Sequence, residues 1–326
     1  MKKLAFVSQP EYFRFAYENS LDDDYETQEF RLTFSMGPDR FEDLLTYNAD
    51  YNIFFRGEFV PNEVLAQLSG IKINLSSEPF PRLINNSLEY SCDSLKRFLA
   101  FRKIRNKYFD FVFHYDKYSL SFLNKDGLKL SGDFVFPVAT KVYRPEKREK
   151  IWDLFFIGRS TDHREKYFGP LKHEYKFLHI AHGVWGDALV NYINASKICL
   201  NVHSENEVSW EPRMQMIMAC GGFLISEPIT PNDYLRPGID YVEVSNPMEL
   251  QEAVKYYINN KEARKKIAEN GLQRVHEHLD SKISIKNLLD GIESNQYQKF
   301  FTTNGKCYWN LLDILLHTAY AIKNKD

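Results

Sequence analysis

The sequence reads as an α/β protein of two doubly wound, Rossmann-like units, and three observations lead there. Short apolar runs alternate with helical patterns, the signature of strand–helix units on a mostly parallel sheet. The alternation occurs twice, and between the two series lies ATKVYRPEKREK, residues 139–150, which is polar, charged and broken by Pro145. A chain of 326 residues is also long enough for two ordinary domains.

In the first series, strands are expected near 3–8 (KLAFVS), 28–34, 51–56 (YNIFFR), 71–76 (IKINLS), 109–114 (FDFVFH) and 133–136, with helices between them. In the second, strands near 152–157 (WDLFFI), 176–181, 197–203 (KICLNVH), 222–226 (GFLIS) and 240–244 alternate with helices near 186–195, 212–220 and 247–278. The expected organisation is an N-terminal domain over 1–140, a linker over 141–150, a C-terminal domain over 151–295 and a helical segment over 296–326. No short-period repeat or low-complexity stretch argues for a solenoid or a disordered tail.

Composition narrows the class. A hydrophobic share of 44% with 26% charged residues is that of a soluble globular protein. A formal charge of -2 gives no reason to expect nucleic acid as a partner, since phosphate-tracking surfaces announce themselves as a basic excess. Cys92, Cys199, Cys220 and Cys307 are widely spaced without a CxxC pair, so they read as reduced cytosolic thiols rather than a zinc site or a disulfide framework. The start, MKKLAFVSQP, carries too short an apolar run for a signal peptide and reads as a first strand; no apolar run approaches membrane-spanning length. An aromatic share of 15%, with 25 Phe and 20 Tyr, is assigned to core packing.

Two doubly wound domains joined by a short hinge place the carboxyl ends of both sheets across a common cleft, where ligands bind in such folds. That is the GT-B arrangement. The segment FVFHYDKYSLSFLNKDGLKLSGDFVFPVATKVYRP resembles the end of the N-terminal domain in the CgeB-like (spore-maturation-protein-like) glycosyltransferases. WDLFFIGRSTDHREKYFGPL resembles that family's strand, Gly loop and Arg-bearing helix, HIAHGVWGDAL its His-Gly turn, and SKICLNVHSENEVSWEPRMQMIMACGGFLISE its donor-site core. YLRPGIDYVEVSNPMELQEAVKYYINNKEARKKIAENGLQRVHEHLD looks like the closing segment shared with glycosyltransferase family 4. The resemblance implies a GT-B glycosyltransferase that moves a sugar from a nucleotide-activated donor to a glycan, lipid-linked or protein acceptor. The nucleotide sugar is a co-substrate, and no cofactor or metal is implied.

The residues can be read chemically beside the resemblance. A departing diphosphate accumulates negative charge, which cations and helix N-termini can neutralise. Gly158 and Arg159 follow an apolar strand directly and Arg164 lies one to two helical turns on, so a tight backbone turn is joined to guanidinium donors. His182 and Gly183 end the next strand, and His203 ends the one after, followed by the polar loop Ser204, Glu205, Asn206 and Glu207. Glu211, Pro212 and Arg213 open a helix. Capping explains the first two, but a cation at a helix start opposes the macrodipole unless an anion lies between them. Gly221 and Gly222 end that helix and let the following strand pass close to a ligand. Cys220 has no electropositive partner that would make it a nucleophile.

The chain departs from the family at Met216, five residues before Gly221, where relatives carry a Glu that holds the nucleotide ribose. Either Glu211 replaces that Glu or the donor is held differently. The N-terminal domain is expected to supply the acceptor side and any general base. Its strand-end candidates are Ser8, Gln9, Arg56, Glu78, His114 and Asp116, with His114 or Glu78 as the base. Residues 95–108, LKRFLAFRKIRNKY, form a basic amphipathic stretch, read either as an ordinary helix or as a peripheral contact with the inner face of a membrane. The apolar pattern YWNLLDILLHTAYAIK near the C-terminus is expected to be a helix packing across the domains, and the acidic run 22–24 a solvated loop. Two further functions stand beside transfer: a non-catalytic sugar- or nucleotide-binding module, which Met216 favours, and a sugar-nucleotide epimerase, whose usual paired carboxylates are not evident.

Overall fold

The computed structural model describes residues 1–33, 35–205 and 209–305. The chain divides into two units, one of residues 1–13, 21–135 and the described residues from 289 onward, the other of residues 14–20 and 136–288.

The first unit holds a six-stranded parallel sheet of β1 (Lys3–Ser8), β2 (Glu26–Arg31), β3 (Tyr51–Phe55), β4 (Ile71–Ser76), β5 (Phe111–His114) and β6 (Gly132–Asp133), in the order β2-β1-β3-β4-β5-β6. Burial follows that order: every residue of β3 is buried, whereas β2, at the edge, buries only Phe30. Helices α1 (Glu42–Tyr47), α2 (Asn62–Gln67), α3 (Cys92–Phe101) and α4 (Leu120–Lys125) lie in the connections. Ser91 and Ser94 form a reciprocal capping box that starts α3. The aromatic residues go largely into the core, where Phe98 meets Phe122 edge-on at 4.7 Å and Phe54 meets Phe109 at 5.4 Å.

The basic stretch 95–108 spends its apolar side on this core through Leu95, Phe98, Phe101 and Ile104. Most of its cations also have protein partners: Arg97 pairs with Glu78 and Asp93, Arg102 and Arg105 with Asp126, and Lys107 donates to the Val60 carbonyl. A hairpin of Arg82–Ile84 and Ser87–Glu89 turns through Asn85 and Asn86, both at positive φ. This connection suits Asn and carries too few residues to show as periodicity.

The second unit holds a five-stranded parallel sheet of β7 (Trp152–Ile157), β8 (Phe177–Ile180), β9 (Ser196–Asn201), β10 (Leu224–Ser226) and β11 (Val242–Glu243), in the order β8-β7-β9-β10-β11. Its helices are α5 (Asp162–Glu174), α6 (Gly186–Asn194), α7 (Arg213–Ala219), α8 (Pro247–Asn259) and α9 (Lys261–His278), and the chain continues into α10 (Ser281–Glu293). One side of the sheet packs Leu154, Phe156, Ile198, Leu200 and Ile225 against Tyr167, Phe168 and Val254. The single helix expected over 247–278 is broken at Asn260, whose side chain bonds the Tyr256 carbonyl at 2.6 Å and so competes with helix continuation.

Residues 136–150 are bonded into this second unit. Gln215 Nε2 donates to the carbonyls of Phe136 and Pro137, Val138 exchanges backbone bonds with Leu279 and Ser281, and Asn194 bonds both Glu146 and Arg144. The described part of the expected C-terminal helical segment, residues 296–305, is not helical; Phe301–Thr302 pairs antiparallel with Leu128–Lys129. The pattern YWNLLDILLHTAYAIK and Cys307 lie outside the described residues, as do Asn206 and Glu207. No helix among the described residues is long and apolar enough to cross a membrane.

Candidate functional site

The carboxyl ends of β7, β9 and β10 gather the densest set of charged groups in the second unit. Gly158 leaves β7 with φ +148, and a Cβ there would come within 3.0 Å of both the Phe156 ring and Arg213 Nη1. Only glycine leaves room for that approach. Arg213 donates from Nη1 to the Ile157 carbonyl at 2.8 Å and from Nη2 to Glu211 Oε2 at 2.7 Å, with its guanidinium 4.8 Å from the Phe156 ring centre. Arg164, from the first turn of α5, donates from Nε to the Val202 carbonyl and from Nη1 to the Arg159 carbonyl, and lies 5.0 Å from the same ring centre. Burial and the neighbouring Arg213 charge bring the Arg164 guanidinium down to about 10.

The cation at the start of α7 therefore has its anion inside the chain. Glu211 precedes the helix and is not bound by helical spacing, so it reaches Arg213 directly. Burial alone would raise its carboxyl, but the Arg213 charge overrides it and holds it at about 2. This corrects the inference that Arg213 by itself demands an external anion, the more so because α7 has only seven residues. What survives is the cluster.

His203 is fixed at three points. Its backbone N–H donates to Glu227 Oε2 at 2.7 Å, and its Nε2 donates to the Pro228 carbonyl at 2.7 Å, which leaves Nδ1 as the acceptor of the neutral ring. Nδ1 is buried without a hydrogen-bond partner, 3.9 Å from Glu211 Oε1. Glu227, 6% exposed, directly follows β10, and its other oxygen accepts from His163 Nε2 at 2.9 Å. A continuous series, His163–Glu227–His203–Glu211–Arg213, thus joins α5, β9, β10 and α7.

Other expected residues fall outside this series. Arg159 is exposed and contributes its carbonyl to Arg164. His182 is exposed in the loop after β8, where Gly183 (φ +85) and Gly186 (φ +56) both face open space, and Trp185 between them is 44% exposed. Gly221 and Gly222 sit before β10, at the opposite, amino edge of the parallel sheet. There Gly222 donates to the Ile217 carbonyl, and a Cβ on it would lie 2.9 Å from that oxygen. They serve the tight return from α7 to β10, a correction to their expected place beside a ligand. Met216 is half-buried. The Cys220 thiol is buried and pushed up by that burial, away from nucleophilic character.

Phe156, His163 and Glu227 were not legible as site residues. Glu227 follows a buried strand as directly as Gly158 and His203 do, and that strand-end position was its signal. His163 lies between two acidic or basic neighbours that masked it, and Phe156 reads as core.

In the first unit, Ser8 is buried and Gln9 half-buried at the end of β1, and the ends of β3, β4 and β5 hold the candidate bases. Glu78 is bonded through Oε1 to Arg56 and through Oε2 to Arg97, while Glu58 accepts from Arg56 Nε at 2.7 Å. His114 is fully buried, stacked on Phe80 at 4.4 Å and placed with Nδ1 3.2 Å from both the carbonyl and the hydroxyl of Ser76; burial lowers its imidazole to about 4. Asp116 accepts from Arg82 Nε at 2.6 Å and from the Tyr118 N–H. In this arrangement both Glu78 oxygens are paired with arginines, and the basic atom left on His114, Nε2, has no hydrogen-bond partner but is buried. Among the described residues, no group of three or more His, Cys, Asp and Glu side chains is placed to hold a metal ion.

Residues 152–290 match a family model described as glycosyl transferase-like. A comparison with curated proteins finds no match. Among solved structures, sucrose-phosphate synthase from Thermosynechococcus elongatus is similar at 11% identity and a TM-score of 0.58, covering 90% of this chain and 100% of that one. HepE of Anabaena, in complex with UDP, is similar at 11% identity and 0.52, again over 90% of this chain and 100% of that one. An alpha-glucosyltransferase in complex with UDP and a 13-mer DNA reaches 0.61 at 12% identity, over 90% and 99%. At such identities the likeness establishes the fold, and the fold class is the α/β GT-B class read from the sequence.

Proposed function

We propose that this chain is a glycosyltransferase that moves a sugar from a nucleotide-activated donor to an acceptor hydroxyl, with the donor held by the second unit and the acceptor by the first. The observation that carries this reading is the convergence of Arg164 and Arg213 on Phe156 beside Gly158. It lies inside the segment that matches the glycosyl transferase-like model. Arg164 and Arg213 are held by backbone carbonyls beside the carboxyl edge of a parallel sheet, where such folds take ligands. A diphosphate leaving group develops charge that fixed guanidinium groups stabilise without reorganisation and without a metal.

The complexes of HepE with UDP and with UDP-glucose favour a uridine diphosphate sugar as the first donor to test. The acceptor belongs to the glycan, lipid-linked or protein class, with no role for nucleic acid. The test is transfer and donor hydrolysis across a panel of nucleotide sugars with EDTA present, in wild type and Arg213→Ala. Turnover undiminished in the variant would sink the assignment of the site.

A second reading, a module that binds nucleotide sugars without transferring them, is favoured by Met216 in place of the Glu that holds the ribose in related enzymes. Calorimetric binding without turnover over a wide acceptor panel supports it, and turnover in the unaltered chain excludes it.

A further inference from the structure

We propose that His163, held by Glu227, is a phosphate-binding residue of the donor site that acts in its protonated form; the inference rests on the donor reading above. Glu227 Oε1 can only accept, so the 2.9 Å contact fixes the hydrogen of the neutral imidazole on Nε2. A second proton then goes to Nδ1, turning that nitrogen from an acceptor into a charged donor at the carboxyl edge where Glu227 follows β10. The carboxylate holds the ring in one orientation. Glu227 is itself anchored, because its second oxygen is taken by the His203 N–H at 2.7 Å. His163 keeps 17% of its side chain accessible, against 8% for Glu227. It is the outer member of the pair.

The charged and titratable groups around His163 are named by the same geometry. Glu227 directly follows β10, Tyr167 lies one turn along α5 with ring centres 5.2 Å apart, and Arg164 is the next residue. His203 and Glu211 are linked to it through Glu227. His203, with its Nδ1 buried and unpartnered, is a second imidazole at this edge, so the experiment has to separate the two.

The ligand for the test is UDP-glucose. Each phosphate of a nucleotide sugar carries one ester and one anhydride linkage, so neither titrates near neutrality, whereas a terminal phosphate with a second pKa of about 6 would obscure the profile. Affinity is measured by calorimetry between about pH 8 and pH 6, the interval in which imidazoles gain charge. In wild type it should rise about tenfold as pH falls, the scale of one charged hydrogen bond. His163→Gln should lose the rise and give a flat profile, with its fold checked by thermal melting. Glu227→Gln should weaken the rise, because the ring loses the carboxylate that anchors it.

A flat wild-type profile, or a rise that persists in His163→Gln, overturns the inference while leaving the donor site intact. Absence of binding at every pH overturns the donor reading and this inference together.

Discussion

Arg164 and Arg213 stack on one ring, their guanidinium carbons 5.0 and 4.8 Å from the centre of Phe156. They come from different helices and repel each other, so the arrangement needs compensation. It comes from the ring's negative faces, from the carbonyls of Val202, Arg159 and Ile157, and from one carboxylate, Glu211. Phe156→Leu keeps an apolar residue in β7 but removes the shared ring. The expected outcome is a loss of about 1–2 kcal/mol in chemical denaturation and about a tenfold weaker donor affinity by calorimetry. Unchanged affinity would mean that the two cations are positioned by their carbonyl bonds alone.

Removing Arg213 strands Glu211. In the wild type this carboxyl is held at about 2 against an ordinary value of 4.5, so the pair's contribution is full above about 4.5 and is lost as pH falls toward about 2. Glu211 keeps 21% of its side chain exposed, which limits the cost of stranding it. Arg213→Ala is expected to lose about 2 kcal/mol at pH 7 and to flatten the acid limb of stability below 4.5. Urea unfolding measured from pH 7 to pH 3 reads both effects.

His114 predicts an acid limb at higher pH. Its imidazole is brought down from 6.5 to about 4 by complete burial, so the folded chain keeps it neutral while the unfolded chain binds a proton. Folding is therefore favoured above about 6.5, and that contribution disappears as pH falls from there to about 4, about 3 kcal/mol in all. His114→Gln should flatten stability across this window. A variant with an unchanged slope would show that the ring is accessible to protons, and would restore it as a candidate base.

The sheets were largely legible in the sequence because their strands are apolar runs that end abruptly. β1, β4 and β7 occupy the residues read for them, 3–8, 71–76 and 152–157. The breaks were not legible, since the stop at Asn260 and the turn at Asn85 and Asn86 are set by single side-chain or backbone choices that leave no periodic trace. The same division runs through the site. Attention to strand ends reached Gly158, His203 and the Arg213 region. It passed over Glu227, whose role depends on which strands are neighbours, and Phe156, whose ring looks like any other core residue until two cations are seen on it. Arg213 taught the opposite lesson: a residue that seemed to require an external anion has one two positions away.

Gly222 separates the roles of the two sheet edges. It lies at the amino edge, where α7 turns back into β10, and a methyl group there would stand 2.9 Å from the Ile217 carbonyl oxygen and 3.1 Å from Ile193 Cγ2. The carbonyl cannot give way without disturbing the end of α7, because it already accepts the Gly222 N–H at 2.9 Å. Gly222→Ala is therefore expected to cost about 1–3 kcal/mol, the scale of overpacking a filled interior. Donor affinity, read at a temperature where the variant is fully folded, should stay within about twofold of wild type, because the arginines and His163 stand at the carboxyl edge. A tenfold loss of affinity with little loss of stability would place the Gly pair beside the ligand after all.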